Sequence, residues 1–248
     1  MVMRGRLYSR PAVLIATTNP GKLREIRRVL GDLGMPLRTL ADFPPLPEPE
    51  ETGRTFAENA LLKATYYARS LNLPTVAEDS GLAIDALGGR PGVESARYPG
   101  ATYPDKFANL YRELAPFPHP WTARFVCSLV FVDPARLPAG DPIPGGEAGV
   151  LFAAEATVDG QIAQRPAGTF GFGYDPIFFY PPYGTTLGNV ADEQKLAVAH
   201  RGQAFRAFAA WLRAGGAACL AGAATRDTPP VSGQTSQTIS RDRPTSDT

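Results

Sequence analysis

Apolar positions along the chain recur with two periods, and their alternation predicts helices laid against a sheet. The run from Ala12 to Thr17 is short, continuous and of strand type. Asn19 then fits an N-cap and Pro20 a first helical position, and Leu23, Ile26, Leu30 and Leu33 keep helical spacing behind them. A second helix is predicted over Phe56 to Leu71, with Thr55 and Glu58 as a capping box and Ala60, Leu61, Ala64, Ala68 and Leu71 as its buried stripe. Pro74 to Ala77 reads as a strand that runs into Glu78 to Gly81, and Leu82 to Ala86 reads as the next strand. Phe107, Leu110, Tyr111 and Leu114 fall on one face of a helix near Asp105 to Leu114. Thr122 to Val132 and Gly149 to Val158 read as long strands, joined by a surface loop, rich in proline and glycine, from Asp133 to Ala148. The last helix is predicted over Gly202 to Arg213, with Phe205, Phe208 and Leu212 turned inward. Strands alternating with helices indicate an α/β protein, and the long consecutive strands indicate a mixed sheet. Residues 1–10 read as an N-terminal extension, 11–214 as the folded domain, and 215–248, dominated by small and polar residues, as a disordered tail.

Composition narrows the class. A chain of 248 residues with 44% hydrophobic content can bury a sizeable core. Its net charge of +1 lacks the broad basic footprint that nucleic acid demands, so the expected partner is a small molecule. Cys127 lies in an alternating core run and Cys219 near the tail, which makes no disulfide framework and fits a reducing cytoplasm. Residues 1–10 carry three arginines but no apolar stretch of the signal-peptide kind, and no apolar run reaches membrane-spanning length, so no membrane is expected.

The candidate chemistry lies in three places. Between Gly168 and Phe178 glycines alternate with aromatics, leaving bare backbone beside flat rings, a surface suited to a purine, and Lys195, His200 and Arg201 follow closely. Taken alone, the same stretch fits a bulged hairpin. The strand-to-helix turn at Asn19 to Lys22 aims backbone N–H groups and the positive end of a helix dipole at one spot, with Lys22 beside it, an arrangement suited to phosphate. It is not a P-loop, because Leu23 follows Lys22 where serine or threonine is required. Glu78 and Asp79 are adjacent carboxylates able to hold a hard cation and position a water for attack on phosphorus. A second acidic patch, Glu48 with Glu50 and Glu51, precedes Gly53 and is fixed against the N-terminus of the second helix.

The order and spacing of these pieces resemble the inosine triphosphate pyrophosphatase family, enzymes that hydrolyse deaminated purine nucleoside triphosphates. The matching stretches are Thr17 to Lys22, Glu50 to Gly53 with Phe56 and Glu58 to Ala60, Glu78 to Leu82, Gly88 to Gly92 with Ser95 to Tyr98, Phe172 to Phe178, and Lys195 with His200 to Gly202. Glu78 stands where that family usually has aspartate, Thr185 where it has lysine, Gly188 to Val190 where Ala-Glu-Leu is common, and Ala199 where serine precedes the His-Arg pair.

The resemblance implies an elongated mixed β-sheet with flanking helices, in two lobes around a nucleotide cleft, assembled as a homodimer. It implies magnesium-dependent hydrolysis of inosine or xanthosine triphosphates, ribo or deoxyribo, to the monophosphate and pyrophosphate. By residue, Asp79 is implied as general base and metal ligand, with Glu50 or Glu51 completing the metal site. Thr17, Thr18, Asn19, Pro20, Gly21, Lys22 and Lys195 would hold the triphosphate, and Ser80 a nearby oxygen. Phe172, Gly173, Tyr174 and Asp175 would frame the base, and His200 and Arg201, as positively charged donors, would read its 6-oxo edge. Two alternatives stay open at this point: a catalytically silent nucleotide-binding protein on the same fold, and a related pyrophosphatase acting on modified pyrimidine triphosphates.

Overall fold

The short apolar run near the start becomes a strand buried on both faces. In a computed structural model, which describes residues 12–31, 33–139, 149–216 and 218–220, Val13 and Ile15 of β1 (Val13–Ile15) face one side of a sheet and Leu14 and Ala16 the other. The Asn19 side chain accepts from the Gly21 and Lys22 N–H groups at 2.9 and 3.1 Å, which starts α1 (Pro20–Leu30). The chain returns through β2 (Leu37–Thr39), parallel to β1.

Helix α2 (Phe56–Leu71) begins where Thr55 accepts from the Glu58 N–H. The reciprocal half of the expected capping box is shifted by one residue: Glu58 takes the Arg54 N–H at 2.6 Å. Next comes β3 (Thr75–Ile84), and here the sequence expectation needs correction. No turn interrupts Glu78 to Gly81; β3 is one continuous strand, because it pairs antiparallel with β4 (Trp121–Val132) along its whole length. Gly81 is required inside it for a different reason. A Cβ there would strike the Gly92 carbonyl at 2.5 Å and the Ser95 hydroxyl, since the loop through Ser95 lies directly on the strand.

Helix α3 (Tyr103–Leu114) starts two residues before the expected Asp105, at a Thr102 cap that forms a full box with Asp105. β5 (Val150–Ile162) runs past Val158 and carries the short edge strands β6 (Phe178–Tyr180) and β7 (Thr185–Thr186). The sheet order is β2-β1-β3-β4-β5-β6-β7, parallel at β1 and antiparallel from β3 onward. Two helices follow: α4 (Asp192–Val198), which sequence periodicity did not single out, and α5 (His200–Arg213), which begins two residues before the expected Gly202.

Helices flank both faces. One core joins β1, α1 and α5 around Ile26, Phe131 and Phe208, and a second joins the opposite face to the alanine stripe of α2. A third lies at the far end of β3 and β4, around Leu82, Leu110, Phe125 and Phe178, and forms the second lobe. Leu220 is buried in the first of these cores. The packed body therefore extends beyond residue 214, where the tail was expected to begin; 1–10 and 221–248 lie outside the described residues, as does 140–148 of the long loop.

Candidate active site

Alternation along β3 separates the two adjacent carboxylates. Val76, Glu78 and Ser80 point toward α1 and α5, whereas Ala77 and Asp79 point toward α2. Glu78 is fully enclosed and ion-pairs with Lys22 at 3.0 Å and with Arg201 at 3.2 Å. Burial opposes its ionisation, but Lys22, Arg201 and Lys63 together outweigh that and hold the carboxyl well below its ordinary range. Removing a partner from such a pair costs about 3–5 kcal/mol, so Glu78 is held by its two cations on the face of β3 opposite Asp79.

Asp79 faces a different set of groups. Its Oδ1 is 3.1 Å from Lys63 Nζ, and its Oδ2 accepts from Asn59 Nδ2 at 3.2 Å. Lys63 also reaches Glu51 Oε1 at 2.5 Å, so one ammonium bridges the two carboxylates. Burial pushes the Asp79 carboxyl above its usual range, and the nearby Lys63 and Lys22 offset this only in part. The Asn59 carbonyl oxygen accepts from the Gly53 N–H at 2.8 Å, which ties the acidic loop of Glu50 and Glu51 to Asp79. Among the described residues no three His, Cys, Asp or Glu side chains are already gathered as a metal site. Asp79 and Glu51 nevertheless hold a cationic group between them, with Glu50 beside them on the cleft wall, and hard oxygen donors of this kind fit a divalent metal.

The other end of the cleft is aromatic over buried charge. Lys195 contacts Asp175 at 2.5 Å and Glu25 at 2.7 Å; burial disfavours its charge, but these two carboxylates keep it protonated. Arg201 donates to Glu25 at 2.6 Å, to Glu78 at 3.2 Å and to Ser80 Oγ at 2.7 Å. Lys195 Nζ lies 4.7 Å, and the Arg201 guanidinium 5.5 Å, from the centre of the Phe172 ring. The Phe172 N–H is held by the Asp175 carboxylate at 2.7 Å, and the Tyr174 hydroxyl donates to the Ser95 carbonyl at 2.8 Å.

His200 departs from its expected charge. It is enclosed at the start of α5, stacked on Phe125 with ring centres 4.9 Å apart, and burial together with the neighbouring Arg201 holds its imidazole well below the ordinary value. It is a neutral ring, not the cationic donor expected, and its Nδ1 is buried with no partner among the described residues.

One cleft of about 540 Å³ brings together Thr17, Thr18, Asn19 and Lys22 with Glu50, Glu51, Asp79 and Ser80, and these with Phe172 to Asp175, Lys195, His200 and Arg201. Pro20 and Gly21 do not line it; Gly21 lies beneath the Phe172 ring instead. The sequence pattern that matches residues 13–211 decides the family.

The chain belongs to the Ham1 family. It is 46% identical over 195 residues to a dITP/XTP pyrophosphatase of Geobacillus kaustophilus, covering 77% of this chain and 89% of that protein. A dITP/XTP pyrophosphatase of Thermus thermophilus is 46% identical over 201 residues, covering 79% and 89%. Among solved structures, a HAM1 protein from Coxiella burnetii superposes with a TM-score of 0.71 at 35% identity, over 82% of this chain and 98% of that one. A nucleoside-triphosphatase / dITP/XTP pyrophosphatase from Mycobacterium abscessus gives 0.61 at 40% identity, over 81% and 98%.

The sequence reading missed Lys63 and Glu25. Lys63 had a signal. Asn59, Lys63 and Tyr67 recur at four-residue intervals beside the Ala60, Ala64, Ala68 stripe, so a half-polar stripe runs along the buried face of α2 toward the cleft. Glu25 is one polar residue among several on α1, and nothing in its neighbourhood separates it from a solvated one.

Proposed function

We propose that this Ham1 protein hydrolyses deaminated purine nucleoside triphosphates, such as dITP, ITP and XTP, to the monophosphate and pyrophosphate. The observation that carries this reading is one cleft with Asp79, Lys63 and Glu51 at one end and a ring flanked by buried cations, with an unpartnered His200 Nδ1, at the other. Asp79 takes a proton from a water whose oxygen attacks the α-phosphorus; the bond from that phosphorus to the bridging oxygen breaks, and pyrophosphate leaves with the electron pair. A carboxyl raised above its usual range is a stronger base for this step. Magnesium, held by Asp79 with Glu50 or Glu51, would supply positive charge against the phosphate oxygens. Ser80 Oγ accepts from Arg201, which leaves its hydroxyl proton for a phosphate oxygen. Lys22 and the turn at Asn19 line the same cleft.

Lys195 belongs with the base in this reading, not with the phosphates, because its charge lies against Phe172 and Asp175. A 6-oxo purine can satisfy His200 Nδ1 and Lys195, whereas adenine presents the reversed donor and acceptor and leaves buried groups unpaired, a mismatch that can reject a substrate by about 10⁴-fold. The nucleotide pool that such an enzyme cleans places its work in the cytoplasm. Assembly as a homodimer, which the resemblance implies, is checked by sedimentation equilibrium. The activity test is pyrophosphate release from ITP, dITP, XTP, GTP, ATP and a modified pyrimidine triphosphate, with and without magnesium. Release of orthophosphate in place of pyrophosphate, or equal rates on ATP and ITP, would overturn the reading.

A further inference from the structure

We infer that Arg97 is a ligand for the departing pyrophosphate, an assignment that rests on the hydrolysis proposed above. Arg97 lies on the wall of the cleft, on the loop that crosses β3 at Gly81, two residues along the strand from Asp79. Its side chain is about half exposed, yet the backbone that carries it is pinned from several directions. Ser95 Oγ accepts from the Leu82 N–H at 2.9 Å and donates to the Gly92 carbonyl at 2.6 Å. The Tyr174 hydroxyl donates to the Ser95 carbonyl at 2.8 Å, Lys106 Nζ donates to the Ala96 carbonyl at 2.6 Å, and the Arg97 N–H donates to the Glu94 carbonyl at 2.9 Å. A solvated surface arginine has no need of such support; a guanidinium kept ready at the rim of an anion site does.

Its present partners point the same way. Arg97 Nη1 donates to Glu51 Oε2 at 3.1 Å, while Glu51 Oε1 holds Lys63, and the rest of the guanidinium pairs with exposed Glu94. Glu51 is one of the carboxylates assigned to the cation at this end. A metal ion held by Glu51 would take that carboxylate from Arg97 and free the Nη1 side of a planar, permanently charged fork on the cleft wall, whose spacing of donors matches two oxygens of a phosphate. Lys22 and Lys63 stand deeper, against Glu78 and Asp79, so the half-exposed Arg97 is the cation placed to meet the outer two phosphates.

The test uses the full-length protein and inorganic pyrophosphate as the probe, titrated calorimetrically with magnesium present, with inosine monophosphate as the second ligand. Arg97→Ala is expected to weaken pyrophosphate binding about tenfold or more and to leave monophosphate binding unchanged, with Arg97→Lys in between. Glu94→Ala, which removes the exposed partner without touching the cleft, is expected to leave both affinities as they are. Unchanged pyrophosphate affinity in Arg97→Ala overturns the inference. An equal fall for pyrophosphate and monophosphate, or a fall reproduced by Glu94→Ala, also overturns it by assigning Arg97 to the fold of the rim. If the wild-type protein releases no pyrophosphate from any triphosphate, the parent reading fails first, and that outcome is read from the untouched enzyme.

Discussion

Gly21 offers a test in which two energies of opposite sign compete. It is the second residue of α1, its φ is not in the left-handed region, and an alanine there would gain helix propensity of up to about 1 kcal/mol. A Cβ on Gly21 would, however, meet the Phe172 ring at 2.8, 2.9 and 3.1 Å. Phe172 cannot simply withdraw, because its N–H is fixed by Asp175 and its ring lies against Lys195 and Arg201. Overpacking of this kind costs about 1–3 kcal/mol. The clash therefore wins, and Gly21→Ala is expected to destabilise the protein by about 1 kcal/mol, a fall in Tm of roughly 2–4 °C for a body of this size. Moving the ring also disturbs the base end of the cleft while Asp79 stays in place, so KM for ITP should rise about fivefold with kcat little changed. Calorimetry and steady-state kinetics read both effects. In a Phe172→Ala background the obstacle is gone, and the same Gly21→Ala change should raise Tm. A higher Tm in the wild-type background with KM unchanged would refute the packing of Phe172 on α1.

Asp79→Asn keeps the size of the side chain and removes the base, so kcat should fall by about 10²- to 10⁴-fold with nucleotide still bound; retention of more than about a tenth of wild-type turnover removes Asp79 from that role. His200 is neutral and buried when folded but titrates near 6.5 when unfolded, so the unfolded state binds the extra proton and stability falls as pH drops below that value. By pH 5 the loss from this one residue reaches up to about 2 kcal/mol. Urea midpoints of the wild type should fall toward acid pH relative to those of His200→Phe, and parallel curves would contradict the neutral assignment. A chain ended after Gly216 loses buried Leu220, and should melt several degrees below one ended after Leu220, by the 2–5 kcal/mol typical of a lost core leucine; equal melting would mean that Leu220 adds nothing to the core.

Features that depend on near neighbours were legible in the sequence. The Asn19 cap, Pro20 in the first turn and the apolar stripe of α2 need only residues within a turn of one another, and period-two alternation marked β4 and β5. The site residues were legible as types and spacings, and all but Pro20 and Gly21 line one cleft. Their assignments of charge were not legible. Lys63 reaches Asp79 across 16 positions and Arg201 reaches Glu25 across 176, so the path of the chain alone decides which carboxylate neutralises which cation. The break expected between two strands at Glu78 to Gly81 disappears because β4 supplies a partner for every residue of β3, and alternation along the single strand then sends Glu78 and Asp79 to opposite faces. Burial completed the division: it made His200 neutral, left its Nδ1 without a partner and raised Asp79, effects of desolvation that no stretch of sequence carries by itself.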